Sequence, residues 1–404
     1  MSFLKKLHRL VDMPAFHVLL ALSAAHCLND LLQSVITAVY PMLKEDLGLS
    51  FGQIGLITLV YQLAASIFQP VVGYAFDRRP FVGSLPAGMC CTAAGILMFA
   101  FCSTLPGILA AVFMVGIGSA TLHPEASRIT SLAGHERRGF AQSVFQVGGN
   151  FGGSIGPLLV AVIVAPHGRR YVAFFLIFAA LCFWAMTPIC RWYGRYLREL
   201  RTAENSSESS VSLPLSKRRT IFVIAVIILL IFSKYIYMAS LSSYYTFYLI
   251  DRFGVSVSQS QIFLFVFVVS TAIGTLVGGP VGDRYGRKAV IWISILGTAP
   301  FSLLMPHVGL ALTVVLSFCA GFMLSSAFPA ILLYAQELLP TKLGMISGLF
   351  FGFAFGVGGI ASAVLGSLAD SYGIEAVYNF CAYTPLLGVV AAFLPDLRAR
   401  RAGN

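Results

Sequence analysis

Four polar residues on one apolar helix set the chemistry open to this chain. His26, Asn29, Asp30 and Gln33 are spaced i, i+3, i+4, i+7 and form one stripe, with Leu, Ala and Val on the other faces. A carboxylate beside an imidazole can take up and pass on a proton, so Asp30 is the expected proton carrier and His26 its relay. A second group lies in His123-Pro-Glu-Ala-Ser-Arg128. Glu125 and Arg128 share a face there. They form either a self-neutralising pair or a second proton-linked site in which Arg128 holds a phosphonate or carboxylate at two points. The helical count turns His123 away from that pair, as a substrate contact or a structural residue. Lys234 sits in the middle of another apolar run and could anchor an anion. Gln33, Tyr237, Tyr245 and Tyr334 are further candidates to touch a small polar substrate, although tyrosines at helical spacing also serve packing.

The elements that carry these groups are membrane helices. Of the 404 residues, 58% are hydrophobic and only 11% are charged, against about 25% charged in soluble domains, and the mean hydropathy is +0.84. Apolar runs of roughly 20 residues give twelve spans. A polar stripe on such a span must face protein or a water-filled cavity, and a charge at the bilayer centre costs at least about 2.5–3.5 kcal/mol. The net charge of +11 is not a nucleic-acid footprint. With a cytoplasmic N-terminus, most Lys and Arg fall on the cytoplasmic side, as the positive-inside rule requires. The eight cysteines lie in or beside apolar runs and are expected as free thiols. No secretory leader, metal ligand set, cofactor loop or nucleophile–base constellation is expected, so the chain does not read as an enzyme.

One charged motif divides the chain. Gly279-Pro-Val-Gly-Asp-Arg-Tyr-Gly-Arg-Lys288 lies between two apolar runs, and Gly73, Asp77 and Arg78 repeat its start 206 residues earlier. Pro124 and Pro329, Gly139 and Gly344, and Gly152 and Gly356 pair at nearly the same offset. A repeat of half the chain implies two related halves around a central site. The expected divisions are 1–190, a flexible cytoplasmic linker at 191–219 with a Ser-rich centre, and 220–404. Lys44, Glu45 and Asp46 are expected in the first outer loop, the sixth span is expected to end near Cys190, and Asp283 to Lys288 are expected in a short loop.

Gly279-x-x-x-Asp283-Arg284-x-Gly286-Arg287-Lys288 resembles the loop signature of the major facilitator superfamily. Ala25 to Asp30, Gln142 to Gly152 and Tyr334 to Pro340 resemble drug exporters of that family. The resemblance implies an all-α membrane protein with twelve transmembrane helices in two pseudo-symmetric six-helix bundles. It implies proton-coupled export of a small anionic compound, with uptake by symport as the alternative. It makes Asp77, Arg78, Gly279, Asp283, Arg284 and Arg287 a conformational gate. It also makes Gly152, Gly156 and Pro157 a partial antiporter motif, which close helix packing would equally explain. The partners implied are protons, a small anionic substrate and the bilayer of a bacterial inner membrane, with both termini cytoplasmic, no nucleic acid and a monomeric state.

Overall fold

The computed structural model describes residues 15–49, 51–204, 215–255 and 257–397. Its α-helices are α1 (Phe16–Ala38), α2 (Tyr40–Leu47), α3 (Phe51–Arg78), α4 (Ser84–Phe101), α5 (Leu105–Ala133), α6 (Arg138–Leu159), α7 (Leu176–Glu204), α8 (Lys217–Phe253), α9 (Val257–Tyr285), α10 (Arg287–Leu296), α11 (Ala299–Leu304), α12 (Leu310–Leu338), α13 (Leu343–Tyr372) and α14 (Ile374–Ala382). Among the described residues, twelve helical segments are long and apolar enough to cross a membrane. Large apolar side chains such as Val162, Trp184 and Phe265 stand on the outside, while His26, Glu125, Arg128 and Lys234 are buried. That inversion suits a chain whose solvent is lipid.

Local chemistry explains where the helices start and stop. Thr104 accepts a hydrogen bond from the Gly107 N–H, 3.3 Å away, and caps α5. Gly254 ends α8 at φ 64°, a left-handed value that glycine adopts without strain. Gly286, at φ 101°, is the whole break between α9 and α10. Asp283 and Arg284 therefore belong to the last helical turn of α9, as Asp77 and Arg78 do to α3; the expected charged loop is a helix end. Two further expectations are corrected. Residues 44–46 lie in the short helix α2, and α7 continues past Cys190 to Glu204. The Ser-rich centre of the expected linker lies mainly in 205–214, outside the described residues.

Two compact units result. One comprises Met1–Val211 with Thr341–Gly352, the other Ser212–Pro340 with Phe353–Asn404. In the first, glycines bring backbones together. Gly148, Gly152 and Gly156 of α6 lie against Ser23, Cys27 and Leu31 of α1, one turn apart on each helix. Beyond Pro157 the helix widens into a π turn over Val160–Val164. A second ladder sets Gly344, Gly348 and Gly352 against Gly73, Gln69 and Ser66 of α3. This close approach is why 341–352 groups with the first unit and not with the rest of α13.

An ion pair ties each unit near its helix ends. Arg169 Nε stands 3.4 Å from Asp46 Oδ2 in the first, and Arg252 reaches Glu375 at 2.8 Å in the second. Both acids are nearly half exposed, and exposed pairs contribute only about 0.2–1 kcal/mol. Glu375→Gln is therefore expected to leave the melting temperature of the solubilised protein almost unchanged. A large drop would mean that the pair holds more than its exposure suggests.

Candidate functional site

Asp30 lies between two imidazoles. Its Oδ2 is 3.2 Å from His26 Nε2, one turn back on α1, and its Oδ1 is 3.2 Å from His123 Nε2 on α5. Asn29 donates to Oδ1 at 3.1 Å and the Gln33 amide approaches it at 3.5 Å. Gln33 is oriented by Tyr61, whose hydroxyl donates to its amide oxygen. His26 stacks on Phe145 with ring centroids 4.1 Å apart, and the two imidazoles meet edge to face at 5.0 Å. Phe351 lies 5.5 Å from the His123 ring.

The other nitrogen of each ring fixes what these contacts can be. His26 Nδ1 is 2.8 Å from the Phe145 carbonyl, and His123 Nδ1 is 3.0 Å from the Ser119 carbonyl. A carbonyl only accepts, so each Nδ1 carries a proton and donates it. In the neutral ring each Nε2 is then a bare lone pair aimed at a carboxylate. Three acceptors converge, and the arrangement is favourable only with positive charge among them. Gly149 of α6 keeps that space open: a methyl group there would press on His26 Nε2 and stand 2.8 Å from Asp30 Oδ2.

Glu125 and Arg128 form a separate closed group. Arg128 Nε donates to Glu125 Oε2 at 3.0 Å, and an Nη donates to Oε1 at 3.3 Å and to the Tyr193 hydroxyl. Ser84 also donates to Glu125. The fork expected to hold substrate is thus occupied by Glu125, and both side chains are buried. Asp77 stands 3.9 Å from Arg128. Its carboxylate accepts from the backbone N–H of Gly344 at 2.9 Å and of Met345 at 2.8 Å, capping the start of α13. Arg78 is exposed and lies over the Tyr74 ring.

In the second unit, Lys234 is buried with its Nζ 4.9 Å from the Phe328 ring centre and 5.1 Å from that of Tyr235. Among the described residues of this unit no ion pair involves it. Tyr237 and Tyr245 are packed in the core with Tyr248, Phe267 and Tyr378. Tyr245 donates to Ser317, and Tyr334 donates to the Pro395 carbonyl at 2.6 Å. These tyrosines pack and tie helices in this structure. Arg287 pairs with Asp283 at 2.5 Å and lies 3.7 Å from Glu337. Arg284 is exposed beside Tyr285, and Gly279 is buried on α9.

Residues 22–257 and 227–404 match the Major Facilitator Superfamily. The chain belongs to that superfamily. It is 51% identical over 384 residues to the fosmidomycin resistance protein of Escherichia coli (strain K12), covering 95% of this chain and 94% of that one. It is 38% identical to an uncharacterized superfamily transporter, YfnC, of Bacillus subtilis (strain 168), over 94% and 93% of the two chains. A crystal structure of the superfamily transporter FucP superposes with a TM-score of 0.73 at 18% identity, covering 95% of this chain and 98% of that chain. The fold is the major facilitator fold, and the protein is a multi-pass membrane transporter of a bacterial inner membrane, not an enzyme.

Sequence reading missed Tyr61, Phe145, Gly149 and Tyr193. They reach the polar groups of α1 and α5 from α3, α6 and α7, so spacing along one helix carries no sign of them.

Proposed function

We propose that the chain exports a small anionic compound, such as the phosphonate fosmidomycin, in exchange for protons. The observation that carries this reading is the 51% identity to a fosmidomycin resistance protein along nearly the whole chain. The site chemistry supports it. Asp30, His26 and His123 form a cluster that needs added positive charge, which is what a proton-loading site requires. His123 thus moves from the substrate residues to the coupling residues, and Gln33 helps to hold the carboxylate. Lys234 is the anion anchor, a buried cation flanked by aromatic rings. Arg128 and Glu125 brace α5 from within.

Asp77 serves as a latch. Its hold on the Gly344 and Met345 amides must be released for α13 to move, and the energy of that contact biases a two-state equilibrium. Arg287, Asp283 and Glu337, with Arg78, Gly279 and Arg284 nearby in sequence to the two motif copies, complete the gate. Gly152, Gly156 and Pro157 shape the packing face of α6. The two halves work as 1–190 and 220–404 with both termini cytoplasmic, and the protein acts as a monomer.

Transport into inverted membrane vesicles tests this. Labelled fosmidomycin should accumulate at the expense of an imposed proton gradient in the native protein. Lys234→Met should raise KM for the drug roughly 10- to 100-fold, the effect of losing a charge-assisted contact. An unchanged KM would remove Lys234 from the anion site. Drug movement only down the opposite gradient would replace export with uptake.

A further inference from the structure

The convergence at Asp30 has the form of a metal-binding site. We infer that His26, Asp30 and His123 bind a borderline divalent transition cation, Zn²⁺ above all. Nitrogens and oxygens about 2.0–2.2 Å from a tetrahedral zinc stand roughly 3.3 Å apart. Each imidazole Nε2 here is 3.2 Å from a different oxygen of the Asp30 carboxylate, and the ligand atoms of all three residues lie within 4.8 Å of one another. One ion held by both carboxylate oxygens and flanked by the two Nε2 atoms fits that spacing.

The outer contacts point the same way. Metal-ligating histidines donate their other ring N–H to a backbone carbonyl or carboxylate, which leaves the lone pair of the coordinating nitrogen aimed at the ion. Both histidines do this, to Phe145 and to Ser119. His26 is fully buried and stacked on Phe145, so its ring cannot swing away without loss of packing. Gly149 leaves the gap between His26 Nε2 and Asp30 Oδ2 free of side-chain atoms. The Asp30 side chain is one-fifth exposed, which gives the ion an entry and a place for water as a further ligand. Two imidazoles with one carboxylate favour zinc, cobalt or nickel over magnesium or calcium, which want oxygen ligands. The cluster's need for positive charge is met either by protons or by this ion, so the two compete for the same three groups and zinc binding weakens as pH falls.

The test uses full-length protein in detergent, stripped with EDTA and titrated with Zn²⁺ against a chromophoric chelator. The native chain should bind one ion with an affinity that Asp30→Asn and His123→Gln each weaken by at least about 100-fold, beyond the 10- to 100-fold of an outer-shell change. Zinc-edge X-ray absorption of the native protein, which needs no variant, should show two imidazoles with nitrogen at about 2.0 Å. Equal affinity in the native protein and both variants would overturn the assignment. So would a first shell of sulfur, which would place the ion on the free cysteines.

Discussion

Asp30→Asn is expected to abolish uphill drug accumulation in inverted vesicles while leaving the protein folded. One proton exchanged across one pH unit supplies about 1.4 kcal/mol, enough for a tenfold concentration ratio. Without a titratable carboxylate between the imidazoles, that ratio should fall to about one. The packing should survive, because the new amide can donate to one of the Nε2 atoms that Asp30 now faces. A melting temperature near the native value separates lost coupling from lost fold. Accumulation at the native ratio in this variant would make the His26–Asp30–His123 cluster structural and move coupling elsewhere in the chain.

The second large effect is steric. Gly152→Leu should leave little folded protein. A Cβ at Gly152 would land on the Cys27 carbonyl of α1, and backbone cannot give way as a flexible side chain can. Forcing α1 and α6 apart also disturbs Gly148 on Ser23 and Gly156 on Ser34, since the three contacts share one pair of helices. Overpacking costs typically 1–3 kcal/mol and can exceed that; here several contacts are lost together, so about 3 kcal/mol or more is expected. The neighbouring position is an internal control. A Cβ at Gly153 would meet nothing within 4 Å, so Gly153→Leu should behave like the native protein. Size-exclusion profiles and melting curves of the two variants in detergent give the comparison. Equal behaviour of the two would refute the ladder as the reason for these glycines.

Much of this was legible along the chain because a bilayer imposes strong rules on sequence. Apolar runs gave the spans, and the stripe from His26 to Gln33 placed Asp30 among polar neighbours before any fold was known. What could not be read lies in contacts across helices. His123 meets Asp30 although the helical count on α5 offered no partner for it. Pro124 interrupts the regular count at that point, and only the packing of α5 on α1 brings the ring to the carboxylate. Whether Glu125 and Arg128 form a closed pair or a fork open to a ligand could not be read, because Tyr193, which helps to close the pair, is 65 positions away. Tyr237 and Tyr245 seemed able to line a cavity because helical spacing gives a face but does not say what that face meets; Tyr378 and Ser317 meet it. The helix ends at Asp77 and Asp283 were read as loops because charges beside glycine usually mark them, whereas Gly286 alone makes the break.

The two ties at the helix ends occupy equivalent places in the sequence. At the offset of 206 that relates Asp77 to Asp283, Arg252 occupies the place of Asp46, and Glu375 that of Arg169. Each unit keeps the tie, but with its signs exchanged. Were both ties descended from one ancestral pair, one copy would have changed both residues, passing through a form with two like charges or one charge missing. Because a pair with a half-exposed acid is worth little, such an intermediate would lose little stability. Attraction between these two places is common to both units, while the polarity at each differs.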